Sequence, residues 1–131
     1  IEIGKERFII PELLFKPELY NLDISSLPDL IVDTVQKCDI DVRQSLISNI
    51  FLTGGSSLFP NLKLRLSREI ERKLVDLGKE YQKITLRAPQ QRVYSGWIGG
   101  SILSQIPEFQ QNWITRKIFY ENGIPEKLID S

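Results

Sequence analysis

Apolar positions recur along this chain with two different periods, and the places where one gives way to the other mark its elements. Ile1-Glu2-Ile3 alternates, Gly4-Lys5 interrupts, and Arg7-Phe8-Ile9-Ile10 resumes before Pro11. This pattern predicts two short strands around a turn, a β-hairpin or its remnant. Pro11 to Phe15, closed off by Pro17, has room for little more than one helical turn and reads as a connector. Ser26 is placed to cap a helix running to about Cys38, with Leu27, Leu30, Ile31, Thr34 and Val35 three and four apart as its buried face. Asp39 or Asp41 can cap a shorter helix that carries Ile40, Val42, Leu46 and Ile47 and stops near Asn49.

Ile50-Phe51-Leu52-Thr53 is an apolar run of strand formers that empties into Gly54-Gly55-Ser56-Ser57, so a buried strand followed by a glycine turn is expected. Pro60 then opens a long helix. Leu62, Leu66, Ile70, Leu74 and Leu77 mark its apolar face, Lys63, Arg65, Arg68, Glu69, Arg72 and Lys73 cover much of the rest, and Gly78 is its stop. Lys83 to Arg87 alternates around Ile84 and Leu86 up to Ala88-Pro89 and reads as a second strand. Ser95 is read as the cap of a helix in which Ile98, Ile102 and Ile106 lie four apart. The Gly99-Gly100 pair inside it is destabilising by about 1 kcal/mol per Gly against Ala, which suits a place where another backbone comes close. Phe109, Trp113, Ile118, Phe119 and Tyr120 predict short C-terminal helices held by aromatic contacts.

Composition narrows the chemistry. The 131 residues carry 17 Lys+Arg against 17 Asp+Glu, no His, one Cys and no Met. Histidine catalysis, a His/Cys zinc cluster and an intrachain disulfide are excluded on that count. Zero formal charge leaves no overall field to draw nucleic acid or an acidic membrane, and neither is expected as a partner. No apolar run approaches the roughly 18 residues of a membrane helix. The lone Cys38 points to a reducing compartment. At 41% apolar and 26% charged the chain fits one globular unit. Ile at position 1 and the missing Met set the expectation that the chain is a piece of a longer polypeptide.

A strand, Gly54-Gly55, two hydroxyls and then a helix form an arrangement in which a ligand can touch bare backbone beside a helix N-terminus. The spacing is neither that of a dinucleotide fingerprint nor that of a P-loop, and a structural turn explains it equally well. Asp39, Asp41 and Arg43 read as ordinary capping, the basic residues of the long helix as a solvated face, and Cys38 as a small packed hydrophobe. No set of residues forms a catalytic constellation, and none is assigned to a metal.

Read in order, Ile3-Gly4-Lys5-Glu6-Arg7-Phe8, Pro11-Glu12-Leu13-Leu14-Phe15, Lys37-Cys38-Asp39-Ile40-Asp41-Val42-Arg43, Leu52-Thr53-Gly54-Gly55-Ser56-Ser57-Leu58-Phe59-Pro60 and Tyr94-Ser95-Gly96-Trp97-Ile98-Gly99-Gly100-Ser101-Ile102-Leu103 resemble actin and the actin-related proteins. Phe109-Gln110-Gln111, Trp113-Ile114 and Tyr120-Glu121-Asn122-Gly123 extend the resemblance to the C-terminal tail.

The resemblance implies an α/β fold, part of the actin-like, ribonuclease H-like ATPase architecture, with a mixed sheet and packed helices that is incomplete without the upstream lobes. Residues 1–94 would be the later part of subdomain 3 and residues 95–131 the closing helices of subdomain 1. The implied cofactor is ATP or ADP with Mg in the full-length parent, with none bound tightly by this segment alone. Phosphate, metal and hydrolytic water would be served by residues preceding it. Gly54, Gly55 and Ser56 map onto the turn that lies against the nucleotide, with Leu58 and Phe59 beside the adenine. The family's actins carry a Lys where this chain has Val93, which can donate neither a hydrogen bond nor a charge. Ile98, Ile102, Leu103 and Ile106 match the lining of the groove into which partners insert an apolar helix, although the same spacing also suits core.

Glu108, Asn112 and Pro107 depart from conventional actin at the rim of that groove, which favours an actin-related protein. The implied partners are the missing N-terminal two thirds, other actin or actin-related subunits and helix-inserting proteins. The implied setting is the cytoplasmic cytoskeleton, or the nucleus with a chromatin-associated assembly. The alternatives are a filament-forming actin ATPase and a free-standing truncated binding module without nucleotide. The segment by itself is not expected to hydrolyse ATP.

Overall fold

The most regular apolar stripe of the chain becomes its longest helix and its centre. In a computed structural model, which describes residues 2–79, 81 and 83–123, Leu62, Leu66, Ile70 and Leu74 form the buried face of the helix Leu62–Asp76. The preceding helices are α1 (Glu6–Glu12), α2 (Leu27–Lys37) and α3 (Ile40–Ile47), so the long helix is α4. Strands β1 (Ile50–Phe51) and β2 (Leu86–Arg87) flank it, and α5 (Ser95–Gln105), α6 (Pro107–Gln110) and α7 (Arg116–Asn122) follow. Short 3-10 turns lie at Pro17–Tyr20, Gly55–Leu58 and Arg92–Tyr94. The chain divides into two compact units, Ile1–Tyr94 and Ser95–Ser131.

In the first unit, Leu66, Ile70 and Leu74 pack with Val32 and Val35 of α2, Ile47 of α3 and Leu86 of β2. Burying each such side chain contributes about 1.5–3 kcal/mol, so this cluster is the main source of stability. Strands β1 and β2 pair in parallel, Ile50 opposite Leu86 and Phe51 opposite Arg87, with α4 as the crossover between them. The helix ends in a Schellman turn. Gly78 takes φ 63°, its N–H donates to Val75 O at 2.9 Å, and the Lys79 N–H donates to Leu74 O at 2.8 Å.

The same end of α4 is tied to α2 by polar groups. The buried Ser26 hydroxyl accepts from the Asp29 N–H at 3.3 Å and donates to the Asp29 carboxylate at 2.5 Å. The same carboxylate forms an ion pair with Lys73 of α4. The expected Ser26 cap is therefore present, and it joins α2 to the last turn of α4.

Several expectations are corrected. The N-terminal hairpin is a helix: Phe8 and Ile9 donate to Lys5 O and Leu13 to Ile9 O. No strand among the described residues lies beside this segment. The helix satisfies its own backbone instead and leaves Phe8 73% exposed. The buried face of α2 is Pro28, Val32 and Val35, flanked by Leu27 and Ile31, whereas Leu30 and Thr34 are exposed. The position of α4 turns the helix away from its densest apolar stripe. In α3, Ile47 alone is buried, and Asp39, at the cap position, makes no capping bond.

β1 is shorter than its apolar run and is buried on one side only. Ile50 and Leu52 lean on the core, while Phe51 is 56% exposed beneath the Arg87 guanidinium, 5.3 Å from its ring centre. α4 starts at Leu62 after Asn61 at φ 60°, so Pro60 belongs to the turn before it, and Leu77 is exposed. The basic face of α4 is only partly solvated, because Lys73 reaches Asp29 and Arg65 reaches Glu12 at 3.1 Å.

In the second unit α5 buries none of its residues, and Ser95 is its first helical residue, directly continuing the Arg92–Tyr94 turn, so it does not cap. Thr115 caps α7 by accepting from the Ile118 N–H at 3.3 Å. The aromatic contacts expected in the tail are present as edge-on pairs, Phe109 with Trp113 at 6.2 Å and Phe119 with Tyr120 at 5.8 Å.

Burial alone would raise the Asp29 carboxyl, but hydrogen bonds from Lys73 and Ser26 outweigh it and hold it below the ordinary carboxylate value. A depressed native pKa adds stability above the unfolded value of about 3.9, and that stability is lost as pH falls through the native value. The melting-temperature gap between the native chain and Asp29→Asn is therefore expected to be full at pH 7 and to close below about pH 4. Ser26→Ala is expected to lower stability by about 1 kcal/mol in the same thermal unfolding series.

Candidate functional site

β1 delivers the chain into a turn that glycine alone can start. Gly54 sits at φ 83° and ψ 163°, a region closed to side-chain-bearing residues. The turn Gly55–Leu58 follows, closed by Ser57, whose N–H and hydroxyl both donate to Gly54 O, at 3.2 and 2.7 Å. Ser57 is buried, whereas Gly55 and Ser56 face solvent. Gly55 has an ordinary backbone, and a Cβ built on it would meet nothing within 4 Å. No contact within the chain calls for glycine there. The bare backbone is instead open to approach from outside.

Leu58 and Phe59 leave the turn 48% and 37% exposed, two apolar side chains presented beside that open backbone. Phe59 also forms one wall of a surface groove of about 710 Å³. Phe8, Pro11 and Phe15 line its other side, and Asn61 and Arg65 lie at the start of α4. The Arg65 guanidinium stacks 4.9 Å from the centre of Phe15 and bonds Glu69 at 2.7 Å. Burial works against its charge, but Glu69 and Glu12 outweigh that and hold it firmly protonated. Aromatic walls around a fixed cation suit a flat or apolar ligand group.

Of the five residues assigned to the nucleotide, Gly55, Ser56, Leu58 and Phe59 are exposed and Gly54 is half-buried, and together they surround a buried Ser57. The second set lies in the other unit, with Ile98, Ile102 and Leu103 on α5 and Ile106 in the link between α5 and α6. Ile98 is half-buried, while Ile102 (61%), Leu103 and Ile106 are exposed, which makes them a presented apolar face rather than core of this unit.

One residue that sequence reasoning missed is central to the turn. Arg92 donates from Nε to Ser57 Oγ at 2.9 Å, from one terminal nitrogen to Ser57 O at 3.1 Å, and from the other to Pro89 O at 3.1 Å. Its own carbonyl accepts from the Gly54 N–H at 3.0 Å. Its signal in the sequence is an arginine directly before Val93, whose partner Ser57 lies 35 positions away. Val93 itself is exposed. Among the described residues no group of three or more His, Cys, Asp or Glu could hold a metal ion, and no helix is long and apolar enough to cross a membrane.

A short parallel sheet with its crossover helix, a glycine turn at a strand's end and an apolar terminal helix place this chain among α/β proteins with actin-like architecture. A protein-family model described as Actin matches residues 1–129. The chain belongs to the actin family.

The two glycines are expected to behave differently in thermal unfolding. Gly54→Ala should lower stability by about 1–3 kcal/mol, because its backbone conformation is strained for any L side chain. Gly55→Ala should stay within about 0.5 kcal/mol of the native chain.

Proposed function

We propose that this chain is the C-terminal portion of an actin-related protein and supplies the adenosine side of an ATP-binding cleft together with a protein-interaction surface. The observation that carries the reading is Gly55. It is a glycine of ordinary backbone on which a Cβ would meet nothing within 4 Å among the described residues, next to exposed Leu58 and Phe59 and in the register of the family's nucleotide turn. The base would pack on Leu58 and Phe59, and the sugar would approach the Gly54–Ser56 backbone. ATP or ADP with Mg belongs to the full-length parent. In it the rest of the polypeptide holds phosphates and metal, and this chain takes no part in hydrolysis. Val93 in place of a cationic side chain makes the base site weaker than in conventional actin.

The exposed Ile102 and Leu103 of α5, with Ile106 just after it, support the second half of the reading, a groove for an apolar helix from other actin, actin-related or associated proteins. Such a protein would work in the cytoplasmic cytoskeleton or, alternatively, in a nuclear assembly. Neither nucleic acid nor a membrane is a proposed ligand. A filament-forming actin ATPase is the nearest rival, and the departures at Val93, Glu108 and Asn112 weigh against it. A truncated binding module without nucleotide is the other, and it leaves Gly55 unexplained.

The decisive experiment is an ATP titration of the full-length protein. Gly55→Val is expected to weaken binding at least tenfold, about 1.4 kcal/mol, while the melting temperature of the nucleotide-free protein hardly moves. Val93→Lys should tighten binding in the same titration. Equal losses of affinity and stability in Gly55→Val would assign the turn a structural role. For the α5 face, Ile102→Asp should abolish partner pull-down while leaving the circular dichroism spectrum intact, because this side chain is already in water. Unfolding instead would place it in a core.

A further inference from the structure

We infer that Arg92 is the positioning residue of the glycine turn. It gives the turn its shape and makes it one mechanical piece with the segment Pro89–Tyr94. The inference deepens the nucleotide reading above and rests on it only where ligand binding is concerned.

The turn is tied at both of its ends. At the first end, the Gly54 N–H donates to the Arg92 carbonyl at 3.0 Å. At the second, the Arg92 side chain donates two bonds to Ser57, to the hydroxyl at 2.9 Å and to the carbonyl at 3.1 Å. A single residue thus grips both ends of a turn whose middle, Gly55 and Ser56, is exposed.

The Ser57 hydroxyl passes this grip on. Having accepted from Arg92, its one proton goes to Gly54 O at 2.7 Å, which closes a relay from guanidinium to hydroxyl to carbonyl. The third bond, to Pro89 O at 3.1 Å, anchors the guanidinium itself. Bonds from a charged donor are the stronger kind, and the buried Ser57 has little water to replace them. Lysine cannot substitute, since it has one nitrogen and no planar fork to reach both Ser57 atoms and Pro89 at once.

Two consequences follow. The direction in which the Gly54–Ser56 backbone and the Leu58 and Phe59 side chains face a ligand is set from Arg92, although its three donor groups are taken up within the chain. Coupling is also reciprocal: a ligand that orders the turn must order Pro89–Tyr94 as well, through the same bonds.

The test is amide hydrogen exchange on the full-length protein, with ATP as the ligand probe. Arg92→Gln and Arg92→Lys are expected to speed exchange at the Gly54 and Ser57 amides about tenfold or more, with the amides of Leu66–Leu74 in α4 unchanged. Ser57→Ala should do the same and Ser57→Thr, which keeps the hydroxyl, should restore slow exchange. The combined Arg92→Gln/Ser57→Ala variant should be no worse than either alone, because both break one relay. ATP should bind these variants about tenfold more weakly, and in the native protein it should slow exchange at Arg92–Tyr94.

Unchanged exchange at the turn in Arg92→Gln would overturn the inference, as would equal acceleration through α4, which would mean a general loss of stability. If Arg92→Gln fails to fold, the Ser57→Ala and Ser57→Thr pair decides by the same readout. If the native protein binds no ATP, the nucleotide reading fails, and exchange at the turn still decides whether Arg92 shapes it.

Discussion

Packing of Leu66, Ile70 and Leu74 against Val32, Val35, Ile47 and Leu86 is the constraint on which the first unit depends. Two parallel residue pairs are too little sheet to hold a strand in place by hydrogen bonding alone. β1 and β2 keep their register because α4, the crossover between them, is seated on α2 and α3. That seating is fixed at the C-terminal end of α4, by the polar lock Ser26–Asp29–Lys73 and the Schellman turn at Gly78. Where β1 stops, the glycine turn begins, so the core fixes the starting point of the candidate site without touching its exposed residues.

The turn itself divides strain, support and exposure among neighbouring residues. Gly54 carries the unusual backbone, Ser57 is the buried attachment point for Arg92, and Gly55 with Ser56 remains bare. Leu58 and Phe59 add apolar surface at the edge, and Phe59 continues into a groove whose aromatic walls come from the N-terminal helix. A rigid support beneath an exposed backbone is what a ligand contact made through main-chain atoms requires, since such a contact has no side chain to adjust. Membership of the actin family gives this arrangement a context, and the proposal of adenine nucleotide comes from the resemblance to that family.

Much of the architecture was legible in residue spacing. The 3.6-residue stripe of α4, the Ser26 cap, the Gly78 stop and the glycine turn after an apolar run each rest on local chemistry that a neighbour cannot reverse. What misled was apolar patterning without a partner in view. Arg7–Ile10 reads as strand, yet with no neighbouring strand its backbone bonds close locally into α1. Leu30 and Thr34 look like core, yet α4 meets α2 on the side of Val32. Among the site residues, the contiguous Gly54–Phe59 set was visible as a motif. Arg92 was not, because its partners Ser57 and Gly54 lie 35 and 38 positions away and no spacing rule links them.

By itself, then, the sequence determined the local elements: where α2 and α4 begin or end, where the chain must turn through a positive φ, and which family's ordered motifs it carries. These follow from capping hydroxyls, glycine freedom and amphipathic periodicity, all short-range properties of neighbouring residues. Only the tertiary structure decided which face of α2 is buried, that the N-terminal segment is helical, that α5 presents its isoleucines to solvent, and that one arginine holds both ends of the glycine turn. Those outcomes depend on which distant groups arrive beside each residue, and burial and hydrogen bonding reward the arrival whatever the separation along the chain.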